Sequence, residues 1–194
     1  MSQRTLHTLF KPKSVAIIGA SNGTKRAGNV VMRNLLSSGF SGPIMPVTPK
    51  YEAVLGVLAY PNIEALPLKP DLAIICTAAS RVPAIVERLA QFGCKVAIIN
   101  ASGMANQLDE EGQNLLTLTQ AHAKRYGMRI LGPNSLGMML PNLGLNASLA
   151  HTSALPGKIA FVSQSAAIAT TVLDWANNKG IGFSSFISLG DATD

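Results

Sequence analysis

The chain has 194 residues and a formal net charge of +6, with 47% hydrophobic and 13% charged residues. This composition is too hydrophobic for a disordered segment, and the length fits one full domain plus part of another. No uncharged stretch reaches the ~18 residues that a membrane-spanning helix needs, and the N-terminal segment lacks the apolar core of a signal peptide. We therefore expect a cytoplasmic protein without a membrane partner.

The distribution of the positive charge favours an anionic small molecule over nucleic acid as the partner. The 16 Lys and Arg residues are dispersed along the chain, and few aromatic residues are present to stack on bases. Cys76 and Cys94 lie in or beside apolar runs, and neither has the neighbours of a metal site or a disulfide framework. We interpret both cysteines as buried thiols and expect neither a metal nor a nucleic-acid partner.

Short Val- and Ile-rich runs alternate with amphipathic segments over the first two thirds of the chain. The predicted strands are residues 14–19, 42–47, 71–76, 95–100 and 128–131. The predicted helices, each ending at a glycine, are residues 27–39, 82–93 and 108–127. Runs that are apolar on both faces are typical of a parallel sheet covered by helices. Right-handed crossovers wind this order into a Rossmann-like α/β domain over residues 1–132.

The remaining third contains a predicted connection and the start of a second α/β domain. Periodicity fades over residues 133–156, whose Gly, Pro and Asn residues predict a long linker and the domain boundary. A strand at 158–162, a helix at 166–178 and a strand at 183–189 follow. One βαβ unit cannot cover its own sheet, so we expect an N-terminal piece of a longer protein, with its second domain truncated to residues 157–194. The uncovered apolar surface favours association, including a homo-oligomer.

A glycine-rich turn, “VAIIGASNGTKRAG” (15–28), joins the first predicted strand to a helix. Such a turn presents backbone N–H groups and the positive end of the helix dipole to an anion, and it adds two charged side chains here. The turn lacks the G-x-G-x-x-G pattern of most dinucleotide sites. From this turn alone, a phosphate site and a structural bend remain equal alternatives. The candidate phosphate-site residues are Gly19, Ala20, Ser21, Lys25, Arg26 and Gly28.

The second predicted strand narrows the choice of ligand. NAD-binding folds place an acidic residue at the end of this strand, about 20 residues beyond the glycines, to bind the ribose hydroxyls. Here the first acid after the glycine turn is Glu52, whereas Thr48 and Lys50 lie near the expected place. A cation there favours a nucleotide with a phosphate on its ribose, such as NADP or coenzyme A. Pro46 and Pro49 stiffen the segment and offer adenine an apolar edge.

Small and polar residues also follow later strands, where open α/β sheets bind their ligands. Thr77–Ser80 and Asn100–Gly103 follow the third and fourth predicted strands. In the second domain, “FVSQSAA” places Ser163, Gln164 and Ser165 at a strand-to-helix turn. This turn predicts a phosphate or carboxylate site, with simple capping of the helix as the alternative. No serine lies in a nucleophile elbow, so we assign no catalytic residue. We interpret the three histidines as solvated: His7, His122 and His151.

Six segments carry a family resemblance that extends over essentially the whole chain. They are “KSVAIIGAS” (13–21), “PVTPKY” (46–51), “RILGPNSLG” (129–137), “GLNAS” (144–148), “GKIAFVSQSAA” (157–167) and “GFSSFISLGDATD” (182–194). Together they resemble the NDP-forming acyl-CoA synthetases, relatives of the succinyl-CoA synthetase α subunit. Two more segments, “RAGNVVMRNLLSSGFSGPIMPVTP” (26–49) and “AVLGVLAYP” (53–61), resemble more closely the N-terminal region of bacterial Pat-type protein lysine acetyltransferases.

The resemblance implies that the first domain binds coenzyme A or acetyl-CoA rather than NADP. The residues that it places near the CoA phosphates are Gly19, Ala20, Ser21, Lys25 and Arg26, and those near the adenosine are Pro46, Thr48 and Lys50. The further cofactor-binding positions that we assign are Gly28, Thr77, Asn100 and Asn134.

The resemblance also implies a second domain of the flavodoxin-like, succinyl-CoA synthetase type. In that family the turn that matches Ser163, Gln164 and Ser165 approaches a phosphohistidine or an acyl phosphate. Most family members have a glycine where this chain has Ala166, and the added methyl group would crowd such an anion. This departure argues against ligase chemistry.

The closer resemblance implies a module that senses acyl-CoA for a C-terminal acetyltransferase domain, with protein lysine side chains as substrates of the full-length protein. The alternative is a fragment of an ADP-forming acetyl-CoA synthetase, which would use ATP and ADP only through a downstream domain. In both cases we expect the fragment alone to be inactive and its parent to be an enzyme. An NADP-dependent oxidoreductase is disfavoured because the G-x-G-x-x-G turn is absent.

Overall fold

The structure is a computed structural model that describes residues 3–193, so residues 1, 2 and 194 of the predicted domains lie outside it. Within this range the chain forms five α-helices and eleven strands. The helices are α1 (Gln3–Phe10), α2 (Ala27–Ser37), α3 (Val82–Phe92), α4 (Leu115–Tyr126) and α5 (Ala166–Asn178). The strands are β1 (Val15–Ile18), β2 (Ile44–Val47), β3 (Ala53–Val54), β4 (Val57–Leu58), β5 (Leu72–Ile75), β6 (Val96–Ile99), β7 (Arg129–Leu131), β8 (Gly137–Leu140), β9 (Leu145–Ser148), β10 (Pro156–Ser163) and β11 (Phe183–Ser188).

The first sheet is parallel throughout and has the strand order β2-β1-β5-β6-β7. Its inner strands β1, β5 and β6 are four-residue runs of Val, Ala, Ile and Leu that are buried at every position. Side chains alternate between the two faces, so that Ala16 and Ile18 join one core while Val15 and Ile17 join the other. The predicted Rossmann-like sheet is confirmed.

Helices cover both faces of this sheet. α3 and α4 pack together over one face, and α2 packs on the other face beside β9. The chain leaves β1 towards β2 and then returns to β5 on the other side of β1. Open α/β sheets bind ligands outside the carboxyl ends of their strands at such a switch point. The fold therefore directs attention to the loops that follow β1 and β5.

The second sheet has the strand order β10-β11-β8-β9. β10 pairs with β11 in parallel, as the predicted βαβ unit requires, whereas β8 is antiparallel to both β11 and β9. The prediction of an irregular linker was thus wrong where β8 and β9 form a hairpin. These strands contain no β-branched residue, and two glycines of the predicted linker, Gly137 and Gly144, begin β8 and separate the two strands. The domain limits themselves stay a prediction.

The β8–β9 hairpin packs against both halves of the molecule. Met138, Leu140 and Leu145 belong to the core beneath α2. Met139, whose side chain points the other way, belongs to the core of α5 and the second sheet together with Phe183 and Phe186. The segment therefore connects the two sheets through packing as well as through the chain.

Three further details differ from the sequence prediction. α4 begins at Leu115 rather than near residue 108, because Asn114 caps it by accepting hydrogen bonds from the amides of Leu116 and Thr117 at 3.0 and 3.1 Å. Helix α1 and the short β3–β4 hairpin were not predicted. In the described range no helix combines the length and the apolar character that crossing a membrane requires.

Candidate functional site

The structure brings together the ends of the strands of the first sheet. A Cβ at Gly19, after β1, would lie 3.0 Å from Thr77 Cγ2, after β5. Cys76 Sγ lies 3.4 Å from Asn100 Oδ1, after β6. Asn100 Nδ2 in turn donates to the carbonyl oxygen of Ser135, after β7, at 2.9 Å. Predicted site residues from three separate parts of the chain thus lie along one edge.

This row of strand ends continues into the second sheet. Ser135 Oγ donates to the carbonyl oxygen of Ser188 at the end of β11, and Ser188 is the register partner of Ser163 at the end of β10. Asn134, with φ +58°, donates from Nδ2 to Asp191 Oδ1 at 3.2 Å. Since neighbouring strands lie about 4.8 Å apart, the three steps from β1 to β7 alone extend over about 14 Å, and the strand ends of the second sheet continue the row. Such an edge suits an extended ligand.

Gly19 and Gly28 allow the loop after β1 to pack closely against the sheet. Gly19 has φ +87°, and a Cβ at Gly28 would overlap the carbonyl oxygen of Gly19. The amides of Gly19 and Ala20 both donate to the carbonyl oxygen of Val47 in β2, at 3.0 and 3.3 Å. Contrary to the expectation from the sequence, these two amides are therefore engaged within the sheet. Both glycines and Ala20 support the loop.

The start of α2 is the part of this loop that is arranged for an anion. Its N-cap residue, Arg26, is extended with φ −91° and ψ 140°, and among the described residues no side chain caps the helix. The side chains of Lys25 and Arg26 are exposed. Ser21 Oγ accepts from the amide of Gly23 at 3.1 Å and so shapes the turn. An anion here would meet the positive end of the helix dipole and two cations.

Asn29, which sequence reasoning did not single out, holds this loop from the helix side. The residue is 1% exposed, and its Nδ2 donates to the carbonyl oxygen of Ser21 at 3.0 Å. Its Oδ1 is buried and has no hydrogen-bond partner among the described residues. An unpaired buried oxygen costs about 1–3 kcal/mol, so the Asn29 side chain holds this loop at a cost in stability. A polar residue directly after Gly28 on an apolar helix face was the available sequence signal.

A cavity of about 250 Å³ follows β2 and forms the second part of the site. It is lined by Thr48, Pro49, Lys50, Tyr51, Glu52, Ala59 and Pro61. The amide of Thr48 donates to the carbonyl oxygen of Tyr60 at 2.8 Å, and Thr48 Oγ1 accepts from the amide of Lys50 at 3.3 Å. These bonds fix the backbone that carries the exposed Lys50 side chain. Lys50 thus stands at a well-defined wall of the cavity.

The lining of the cavity revises the choice of residues near Lys50 that could contact a ligand. Pro46 is buried in β2, in register with Ile17, and does not line the cavity, whereas Pro49 does. A proline is tolerated in β2 because this is the edge strand of the sheet. Tyr51 and Glu52 also line the cavity and were not predicted, although they directly follow Lys50 in the sequence.

The turn in the second domain has the geometry of a helix cap. Ser165 is the N-cap of α5, and its Oγ accepts from the amide of Ile168 at 3.3 Å. Ser163 Oγ accepts from the amide of Ser165 at 3.1 Å, and Gln164 is exposed. The capping alternative therefore accounts for both serines. An anion site at this turn stays a prediction.

The two thiols lie in desolvated surroundings, and two of the histidines lie close to acidic side chains. Burial raises the pKa of the Cys76 and Cys94 thiols to about 12, so both are protonated at neutral pH. His151 Nε2 lies 2.8 Å from Asp174 Oδ1, and His122 Nδ1 lies 3.4 Å from Glu87 Oε1. The sequence had suggested side chains that contact solvent alone. Instead, His151 contacts an acid on α5 and His122 contacts an acid on α3.

Comparison with known proteins identifies the family to which this arrangement belongs. The family model of a CoA binding domain matches residues 13–141, and that of a succinyl-CoA ligase like flavodoxin domain matches residues 156–194. The ADP-forming acetate–CoA ligase I of Archaeoglobus fulgidus is 39% identical over 186 residues, which cover 96% of this chain and 27% of the relative. The α subunit of the ADP-forming acetate–CoA ligase I of Pyrococcus furiosus is 37% identical over 194 residues, which cover 98% of this chain and 42% of the relative. The chain thus spans less than half the length of these relatives.

A solved structure and the relatives together correct the closer resemblance inferred from the sequence. The dinucleotide forming acetyl-coenzyme A synthetase 1 of Ca. Korarchaeum cryptofilum, in complex with phosphate and ADP, has a TM-score of 0.89 and 34% identity, covering 96% of this chain and 40% of that one. These proteins are acyl-CoA ligases, so the identification as a Pat-type lysine acetyltransferase was wrong, and so was the role of an acyl-CoA sensor for lysine acetylation. The chain belongs to the family of CoA binding domains, here followed by a segment of the succinyl-CoA ligase like flavodoxin domain.

Proposed function

We propose that this chain is the CoA-binding N-terminal part of an ADP-forming acyl-CoA synthetase. The observation that carries the proposal is the presence of two cationic positions at one sheet edge. One is Lys50 beside its cavity, and the other is the uncapped start of α2 beside Lys25 and Arg26. Coenzyme A has two matching anionic groups, a 3′-phosphate on its ribose and a 5′-diphosphate. Its identity is further supported by relatives that align with both domains.

The arrangement suggests how the ligand would lie. The adenosine would occupy the cavity after β2, with its 3′-phosphate at Lys50 and with Glu52 accepting from the free ribose hydroxyl. The diphosphate would meet Lys25, Arg26 and the first amides of α2. The pantetheine arm would follow the row of strand ends past Asn100 and Asn134 towards Ser163, so that the thiol points to the second domain.

In the whole protein, coenzyme A, a carboxylic acid and ATP would be converted to acyl-CoA, ADP and phosphate. The chain described above supplies the site for the thiol substrate. We assign the handling of ATP to parts of the protein that correspond to the remaining length of the longer relatives. CoA is a substrate in this proposal, and no protein lysine is involved.

Calorimetric titration of the chain with coenzyme A and with NADPH, side by side, tests the binding claim. Both ligands carry a phosphate on the adenosine ribose, but only coenzyme A has an arm long enough to follow the row of strand ends. We expect coenzyme A to bind more tightly. A preference for NADPH would contradict the proposal.

The reaction class is tested separately with the full-length protein. Incubation with acetate, coenzyme A and ATP, followed by nucleotide analysis, is expected to show ADP and phosphate formed together with acetyl-CoA. Formation of AMP and pyrophosphate would contradict an ADP-forming ligase. Other short carboxylic acids should be included, because nothing in the described residues selects the acyl group.

A further inference from the structure

Asn22 connects the two parts of the proposed site. Its Nδ2 donates to the carbonyl oxygen of Ala53 at 3.0 Å, and its Oδ1 accepts from the amide of Leu55 at 3.1 Å. Asn22 lies in the loop that carries Lys25, whereas Ala53 and Leu55 lie in the β3–β4 hairpin, more than thirty residues further along the chain. One exposed side chain thus makes a two-point contact between these segments.

The hairpin that Asn22 holds has a strained tip. Leu55 has φ +49° and Gly56 has φ +83°, so both central residues of the tight turn between β3 and β4 are left-handed. A leucine in this conformation costs roughly 1–2 kcal/mol. The hydrogen bond from the Leu55 amide to Asn22 stabilises the turn in this conformation.

The base of the same hairpin forms the walls of the cavity beside Lys50. The amide of Ala59 donates to the carbonyl oxygen of Glu52 at 2.8 Å, and Glu52 and Ala59 both line the cavity. A movement of the hairpin therefore changes the cavity. Since Asn22 ties the tip of the hairpin to the loop after β1, loop and cavity are mechanically linked.

We propose that Asn22 is a positioning residue that couples the diphosphate loop to the adenosine cavity, so that occupation of one part orders the other. This inference rests on the proposed binding of coenzyme A. When the two segments are coupled, a ligand that orders one of them also orders the other, so the entropy of ordering is lost only once. Without Asn22, each part still forms but must be ordered separately, and the affinity for a ligand that spans both parts falls.

The test compares Asn22→Ala with the matched control Asn142→Ala in the complete chain. Asn142 is also an exposed asparagine whose side chain bonds a distant backbone carbonyl, that of Gly157. We expect Asn22→Ala to weaken coenzyme A binding about tenfold in calorimetry, which corresponds to about 1.4 kcal/mol. Asn142→Ala is expected to leave the affinity unchanged.

Hydrogen exchange provides a readout that would be unaffected if Asn22 had only a local structural role. Adenosine 3′-monophosphate, a probe without the diphosphate, is expected to slow exchange of the amides in residues 21–26 of the unmodified chain. In Asn22→Ala the same probe should slow exchange only around residues 48–61. Protection of residues 21–26 that persists in Asn22→Ala would overturn the coupling.

Two further outcomes separate this inference from its basis. If the unmodified chain does not bind coenzyme A, the proposed function and the coupling are both wrong. If it binds and Asn22→Ala binds equally well, only the coupling is wrong.

A double variant tests whether Asn22 acts only on the shape of the turn. Leu55→Gly removes the strain at the turn, so full recovery of affinity in Asn22→Ala/Leu55→Gly would overturn the coupling by limiting Asn22 to that role.

Discussion

The two sheets of this molecule bury their strands to very different degrees. In the first sheet, β1, β5 and β6 are buried at every position between α3 and α4 on one face and α2 on the other. In the second sheet, β10 leaves Ile159 52% and Val162 54% exposed. On the adjacent α5, Ile168 and Trp175 are each 57% exposed. Parallel strands are normally covered on both faces, so this apolar surface is suited to burial against a partner surface.

The difference indicates a division of roles. The first sheet buries its inner strands on both faces, with Met138, Leu140 and Leu145 of the β8–β9 hairpin completing the core beneath α2, and it carries the loops after β1, β2, β5 and β6. The second sheet depends on the β8–β9 hairpin, through which Met139 reaches the core of α5. We therefore expect substitutions of similar chemistry to have large effects in the first sheet and small ones on the uncovered face of the second.

The largest contrast is expected between two isoleucines in strands. Ile98 in β6 is fully buried, so Ile98→Ala should lower the free energy of unfolding by about 3 kcal/mol through lost burial and the cavity left behind. Ile159→Ala on β10 should change it by less than about 0.5 kcal/mol. Urea unfolding followed by far-ultraviolet circular dichroism measures both. Equal losses would show that β10 is covered in solution, for instance by self-association.

A smaller contrast is expected within the loop after β1. Gly28→Ala places a methyl group against the carbonyl oxygen of Gly19 and should cost about 2 kcal/mol of stability, because backbone must move. Gly23→Ala, in the same loop, meets only the side chains of Arg26 at 3.2 Å and Ser21 at 3.4 Å and should be nearly neutral. Thermal unfolding of the two variants checks this. A stable Gly28→Ala variant would contradict the close packing of loop and sheet.

The thiols predict a pH dependence that belongs to the first sheet. Burial holds the pKa of Cys76 and Cys94 at about 12 in the folded chain, against 9.0 as the ordinary value. Between these values the unfolded chain releases thiol protons that the folded chain retains, so stability should fall as the pH rises from about 9 towards 12. Unfolding midpoints from pH 8 to 10.5 measure the effect. The variant Cys94→Ala should show a shallower decline, and an identical decline would remove this thiol as a cause.

Much of the first sheet was predictable because its strands are continuous Val- and Ile-rich runs. The helices between them were recognisable from their amphipathic pattern and the glycine that follows each one. The β8–β9 hairpin was missed because “GMML” and “LNAS” contain no β-branched residue, and their pairing is fixed by packing against α2 and β11 instead. The residues of the candidate site also differ in how far the sequence indicated them. Lys25, Arg26 and Lys50 were proposed as candidates from charge and position in the sequence. Asn22 depends on contacts with Ala53 and Leu55, more than thirty residues further along the chain, which no local pattern indicates.

The central claim is that Lys50 and its cavity, together with the start of α2, bind coenzyme A. Its most direct test is calorimetric titration of the unmodified chain and of Lys50→Ala with coenzyme A and with dephospho-CoA, which lacks the 3′-phosphate. Lys13→Ala, an exposed lysine before β1 at the opposite edge of the sheet, is the control. A charge-assisted contact to phosphate is worth about 1.5–3 kcal/mol, so Lys50→Ala should weaken coenzyme A binding by about tenfold or more and leave dephospho-CoA almost unaffected. Equal losses for both ligands, or none for either, would contradict the account.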